Sequence, residues 1–367
     1  MQESVIRVFV WIAGLALLAG CATRPAPSIS PSDARSTIAA ALPAKLADRE
    51  GWVDDIYAAF TSLSVAPSTE NVCAVSAVIA QESSFRIDPV VPNLGRIAWK
   101  EIEGRAERVH VPGPLLHSVL SLRSPNGQSY AERIDAARTE KQLSDVYEDF
   151  IGSVPLGETL FADHNPIRTR GPMQVNVDFA RQFAASKHYP YPVAKSIPDE
   201  LFTRRGGIYF GVAHLLDYRA PYDTYRYRFG DFNAGQYSSR NAAFQAALVR
   251  VSARPVTTDG ALLPHEEDAP AGDTELAARS LAGRLGLAPS DIHAELKLGR
   301  SQAFEQSPLY LGVFQQADRA AGRPLPRAQV PIIKLQGPKI ERSLTTAWYA
   351  DRVDQRFKRC LKPPPAS

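Results

Sequence analysis

AVIAQESSF, residues 77–85, is an apolar helical run that closes on a carboxylate, two serines and an aromatic ring. Val75, Val78, Ile79 and Glu82 stand at i, i+3, i+4 and i+7, so a helix places all four on one face. That helix is expected over 68–85: Ser68 follows Pro67 as an N-cap, and Asp88-Pro89 blocks continuation. Glu82 then lies on the stripe that should be buried, near the helix C-terminus. Removal from water raises a carboxyl pKa, and the negative end of the helix dipole pushes the same way. Such a group keeps its proton near neutral pH and can act as a general acid. Paired with Arg86 the same glutamate would be purely structural, so helix position alone leaves both roles open.

Around this helix the chain reads as mainly α. Helical patterning covers 33–66, where Trp52, Ile56, Ala59 and Phe60 share a face, and recurs over 130–151, 177–183 and 204–218. A loop into a helix is expected over 223–250, two or three helices over 274–320, and a last one over 343–361. Strand signals are weak. Residues 90–166 otherwise read as irregular, and 322–338 as a linker. The 29 prolines and 23 glycines fit a chain with long loops. With 367 residues, 44% hydrophobic and 22% charged, there is ample material for a core. The net charge of +3 and pI near 8.7 suit an acidic polymer or anionic surface. No basic stripe of the nucleic-acid-binding kind is present, so no nucleic acid is expected.

The N-terminus carries a second clear signal. Residues 8–18 are an uninterrupted apolar run of 11, too short to span a bilayer, and Leu18-Ala19-Gly20-Cys21 follows. That ending resembles the lipobox of bacterial lipoproteins, which implies a signal peptide over 1–20 and a lipid on Cys21. Ala22, rather than Asp, then favours the outer membrane over inner-membrane retention. A tether over 21–32, a domain over 33–361 and a tail over 362–367 complete the expected organisation. Cys73 and Cys360 remain. In an oxidising compartment they can form one intramolecular disulfide, or stay as buried thiols.

Four further stretches stand in order along the chain: Glu82-Ser83-Ser84-Phe85, Gly171-Pro172-Met173-Gln174-Val175, Phe232-Asn233-Ala234-Gly235, and Thr346-Ala347-Trp348-Tyr349. Together they resemble the motifs of lytic murein transglycosylases of the soluble, goose-lysozyme-like type. The likeness covers 54–89, 168–250 and 342–358. It implies a lysozyme-like catalytic domain with insertions at about 90–166 and 255–340. Glu82 and Gly171 stand 89 positions apart, where the family has a short link. Pro172 and Phe232 replace the family's leucine and tyrosine. Tyr310 competes with Tyr349 for the late tyrosine.

The resemblance implies cleavage of the β-1,4 bond between N-acetylmuramic acid and N-acetylglucosamine in peptidoglycan, ending in a 1,6-anhydro sugar, with no cofactor or metal. Glu82 is the implied acid and base. Gln174 and Asn233 would bind acetamido groups, Tyr349 would hold Glu82, Ser83 would fix local hydrogen bonds, and Met173 would form an adaptable wall. Two other readings stay open. A muramidase hydrolysing the same bond needs a second carboxylate, for which Asp231 and Asp163 are candidates. A non-catalytic envelope lipoprotein would bind glycan or a partner, with the insertions closing the cleft. The tyrosine- and arginine-rich stretch 218–229 reads as a helix surface rather than a glycan groove. His265-Glu266-Glu267-Asp268 has the wrong spacing for a zinc motif and reads as solvated charge.

Overall fold

The computed structural model describes residues 29–156, 164–264, 269–335 and 343–362. Cys21, the signal segment, residues 21–28 of the tether, Asp163, the 265–268 cluster and residues 363–367 lie outside the described residues. In chain order come α1 (Pro31–Ala41), α2 (Arg49–Ser62) and α3 (Thr69–Glu82), then α4 (Leu94–Arg108), α5 (Gly113–Leu120), α6 (Tyr130–Ala136) and α7 (Glu140–Gly152). A hairpin, β1 (Thr169–Arg170) and β2 (Val175–Asn176), leads into α8 (Val177–Ser186), α9 (Ile197–Glu200), α10 (Arg204–Leu216), α11 (Tyr225–Ala234) and α12 (Ser238–Ser252). Then follow α13 (Asp273–Arg279), α14 (Ala282–Leu285), α15 (Pro289–Lys297), two 3-10 turns and α16 (Pro308–Ala321). A second hairpin, β3 (Lys334–Leu335) and β4 (Leu344–Thr345), precedes α17 (Thr346–Cys360). The chain is mainly helical, as its patterning predicts.

Three hydrophobic clusters organise these elements. The first joins α1–α3, the β1–β2 hairpin, α8, α10, α11 and α17. Its axis is α10, whose residues from Gly206 to Leu215 are all buried, as a helix apolar all round requires. α10 packs on α2, and α17 packs on both α3 and α11. Cys73 in α3 and Cys360 at the end of α17 form a disulfide, with Cα atoms 5.6 Å apart. The second cluster is built by α4–α7 from Leu94, Leu120, Tyr130, Ile134 and their neighbours. The third joins the inner face of α12 to α13, α15 and α16. Tyr310 belongs to it, against Phe244, Phe304 and Phe314.

Several expected elements differ in detail. The helical pattern of 33–66 is two helices, because Pro43 follows α1 and Asp48 starts α2 from a left-handed conformation. Of the stretch 90–166, the described part from 94 to 152 is mostly helical rather than irregular. α4 is an amphipathic helix with many charges and α5 a short apolar one, and their partnership shows only when they pack. The helix expected over 130–151 breaks at Ala137, and Thr139 restarts it with a capping box to Gln142. The stretch 223–250 is a helix on each side of Gly235, rather than one after a loop.

The β1–β2 hairpin turns at Gly171, which has φ of +75°. A Cβ there would run into the carbonyl oxygen of Leu201. Gly171→Ala meets both the left-handed strain and this backbone contact, so it should cost about 2–4 kcal/mol of stability. Urea unfolding of the two chains measures it directly. An unchanged midpoint would mean that the turn relaxes freely.

Candidate active site

Glu82 is the last residue of α3, after eight consecutive buried positions. Ser68 caps the start by accepting from the Asn71 N–H at 3.2 Å. The helix stops three residues short of the expected end, because Ser84 and Phe85 both take positive φ. Ser83 is buried and its hydroxyl donates back to the Ile79 carbonyl at 3.2 Å. The Phe85 ring packs edge-on against Trp52, with centroids 5.5 Å apart. This reversal aims Glu82 into a cleft of about 1570 Å³ between the first and third clusters. Gln174, Asn233 and Tyr349 line the same cleft.

The Glu82 side chain is half-buried by area. Protein nonetheless surrounds its carboxyl closely enough that burial raises the pKa to about 7. The Tyr349 hydroxyl opposes the rise, and the charge of Glu140 adds to it. Tyr349 is buried, and its own pKa is pushed well up by burial and by the charge of Glu82. Its hydroxyl meets no partner at full hydrogen-bond geometry, although Glu82 lies near enough to feel it. Contacts of this kind tighten when substrate binds.

Gln174 sits at the hairpin with φ of +51°. Its amide oxygen accepts from the Thr169 hydroxyl at 2.9 Å, and its amide N–H donates to Glu140 at 3.2 Å and to the Gly171 carbonyl at 3.3 Å. Asn233, exposed at the end of α11, accepts from the Thr346 hydroxyl at 2.8 Å, which leaves its NH2 group as a donor facing the cleft. Met173 is not on the cleft wall. It is fully buried beneath it and fills the notch left by Gly211, whose Cβ would overlap the Met173 sulfur. Ser83 likewise shapes the helix end without lining the cleft.

Two residues join the site that the sequence did not reveal. Glu140, at the start of α7, is buried, belongs to the second cluster's helices, and is fixed by Gln174. The Thr139-x-x-Gln142 capping signal marks a helix start there, but nothing local says that it lies beside Glu82. His214, in α10, sits between Phe179 and Phe232 with ring centroids 4.4 and 5.0 Å away, and lines the cleft. Neither ring nitrogen meets a partner at full hydrogen-bond geometry; burial lowers its pKa to about 4, opposed in part by the Asp231 backbone nearby. A neutral, unpaired imidazole is costly unless a ligand completes it. His214→Phe should therefore raise stability by about 1 kcal/mol near neutral pH and weaken the binding of any ligand that completes the ring in the cleft. The stability gain grows in acid: the support from a neutral histidine is full above about 6.5 and fades as pH falls through about 4. Thermal melts at two pH values and a sacculus pull-down read both effects. A destabilised variant with unchanged binding would assign the ring to packing alone.

Asp231 is not a cleft carboxylate. It is fully buried and accepts from the Tyr218 and Tyr222 hydroxyls at 2.9 and 2.8 Å and from the Tyr237 and Ser239 N–H groups at 3.0 and 2.6 Å. With its oxygens filled, it is an anchor that ties α11 to α12. The aromatic stretch supplies two of those donors, and Tyr225 donates to Asn71 at 2.7 Å, so its hydroxyls serve the interior rather than a glycan.

Glu82, whose carboxyl pKa is raised by burial, thus shares one long cleft with Gln174, Asn233 and Tyr349 on a helical scaffold. The chain belongs to the family described as "Protein of unknown function (DUF1615)", whose profile matches residues 45–363. It is 47% identical to the "Uncharacterized protein YaiW" of Escherichia coli (strain K12) over 350 residues, 94% of this chain and 95% of that one. No solved structure matches it. No helix among the described residues is long and apolar enough to cross a membrane.

Proposed function

We propose that this protein is a lytic transglycosylase of peptidoglycan, with a lysozyme-like catalytic core, held by a lipid on Cys21 to the outer membrane and facing the periplasm. The observation that carries the reading is that Glu82, Gln174, Asn233 and Tyr349, far apart in sequence, line one cleft. The 255–340 stretch supports it too: it forms a second wall of the cleft instead of filling it.

In this mechanism protonated Glu82 gives its proton to the glycosidic oxygen between N-acetylmuramic acid and N-acetylglucosamine as that bond breaks. The substrate's own acetamido oxygen supports the anomeric carbon, the substrate-assisted route. Glu82, now ionised, takes the proton of the muramic 6-hydroxyl, whose oxygen closes onto the anomeric carbon. The glutamate ends protonated, ready for another cycle. Asn233 donates to an acetamido group, and Tyr349 steadies the carboxylate between the two transfers.

Glu140 favours a second reading. Two carboxylates near one bond are the usual equipment of a hydrolase, and Glu140 is close enough to act on the charge of Glu82. Water held by Glu140 would then replace the 6-hydroxyl. Mass spectrometry of products from purified peptidoglycan separates the readings. Anhydro ends support the transglycosylase. Reducing ends that vanish in Glu140→Gln support the hydrolase. Sacculus binding without products would overturn both and leave a glycan-binding lipoprotein.

A further inference from the structure

The second cluster is hollow. An apolar cavity of about 710 Å³ runs through α4–α7, in the range of small-molecule sites. Ile97, Ile102, Leu116, Leu143, Val146 and Phe150 give it an apolar wall. On α4 the lining residues are Leu94, Ile97, Ala98, Glu101, Ile102 and Arg105, a single face three turns long. At 1.5 Å per residue that face extends ~16 Å, so the cavity is a slot rather than a sphere. Protein interiors pack densely, and an apolar space of this size is costly to keep empty.

The slot has a polar end. Arg105, Arg168 and Tyr147 line it, and both guanidinium charges reach the Tyr147 hydroxyl. Glu101 and Glu140 also contribute to the lining. The surrounding surface is unusually apolar. Among the described residues, seven of the fifteen exposed large hydrophobic side chains fall within 87–156, including Val109, Leu115 and Leu122, which are 70%, 54% and 60% exposed. Val109 and Leu115 flank the α4–α5 turn.

We propose that α4–α7 form a binding site for a single straight acyl chain carrying an anionic head, with the chain along α4 and the head at Arg105 and Arg168. Length and apolar lining select an extended chain, the two arginines select a carboxylate or phosphate, and the exposed apolar side chains on the same helices suit approach from a lipid surface. The slot borders the Glu82 cleft through Glu140 and Thr169, but its apolar face on α4 and α5 lies outside that cleft and chain binding there does not depend on glycan cleavage.

The test uses the chain from residue 22 onwards, which contains every described element. Saturated carboxylates of eight to sixteen carbons displace a fluorescent fatty-acid probe. Affinity should rise about 3–4-fold per added methylene until the slot is full. An alkyl ammonium of equal length should bind at least tenfold more weakly. Ala98→Trp, which fills the slot, should abolish displacement, and Arg105→Glu should weaken carboxylates but not alcohols. Photolabelling of the unmodified chain with a palmitate carrying a terminal diazirine should mark peptides within 94–150, and this decides the matter if Ala98→Trp fails to fold. Native mass spectrometry after incubation with palmitate or with phosphatidylglycerol vesicles distinguishes a fatty acid from a phospholipid. Labelling outside 94–150, or affinity independent of chain length, would overturn the proposal.

Discussion

Glu82→Gln should reduce glycan cleavage at least about 10³-fold while leaving sacculus binding intact, because the amide keeps the shape of the acid and loses only its proton. The same substitution should stabilise the fold in alkali. The Glu82 carboxyl has its pKa raised from 4.5 to about 7. A raised carboxyl favours the folded state fully below the unfolded value near 4.5, and that support disappears as pH rises through about 7. At pH 8 the ionised carboxylate is a burden that glutamine does not carry. Glu82→Gln should be more stable there by about 2 kcal/mol, discounted because the cleft partly hydrates the group, and close to neutral at pH 5. For the unmodified chain, cleavage should decline about tenfold per pH unit above 7. Equal melting curves at both pH values would mean that the carboxyl is solvated and not primed. A strong stability effect with unchanged cleavage would instead move the acid elsewhere.

Opening the Cys73–Cys360 disulfide should produce the largest loss of stability. The bridge joins positions 287 apart in sequence. In the chain-entropy description a loop that long is worth about 5 kcal/mol. It also holds α17 against α3, and those two helices carry Tyr349 and Glu82. A Cys73→Ser, Cys360→Ser double variant should therefore unfold at a much lower urea concentration. It should also lose cleavage beyond what its folded fraction explains, because Tyr349 is no longer held over the acid. Reductant should reproduce the shift in the unmodified chain and do nothing to the variant. If reductant leaves the midpoint unmoved, the packing of Val353 and Phe357 is sufficient to dock α17.

Local signals carry some of this architecture and not the rest. The i, i+3, i+4, i+7 stripe of 75–82 places Glu82 correctly because periodicity is a property of the helix itself. Ser68 as a cap and Gly171 as a turn are equally local. Met173 reads as a cleft wall because a motif names residues without saying which face of the chain they occupy. The tight turn of the hairpin directs it inward against Gly211. Asp231 looks like a spare acid until the Tyr218 and Tyr222 hydroxyls, both some distance along the chain, are seen to fill its oxygens.

By itself, then, the sequence determined a mainly helical chain, the place of Glu82 on the inward face of its helix, and the order of Gln174, Asn233 and Tyr349 behind it. It could do so because helix period, caps and turns depend on residues a few positions apart. Only the tertiary structure decided that these four groups line one cleft, that residues within 257–300 supply a wall of it, and that α4–α7 form a hollow helical unit bringing the charge of Glu140 to bear on Glu82. Those outcomes depend on which apolar faces meet across long separations. Such pairing is selected by complementary packing in the folded molecule and leaves no fixed spacing in the chain.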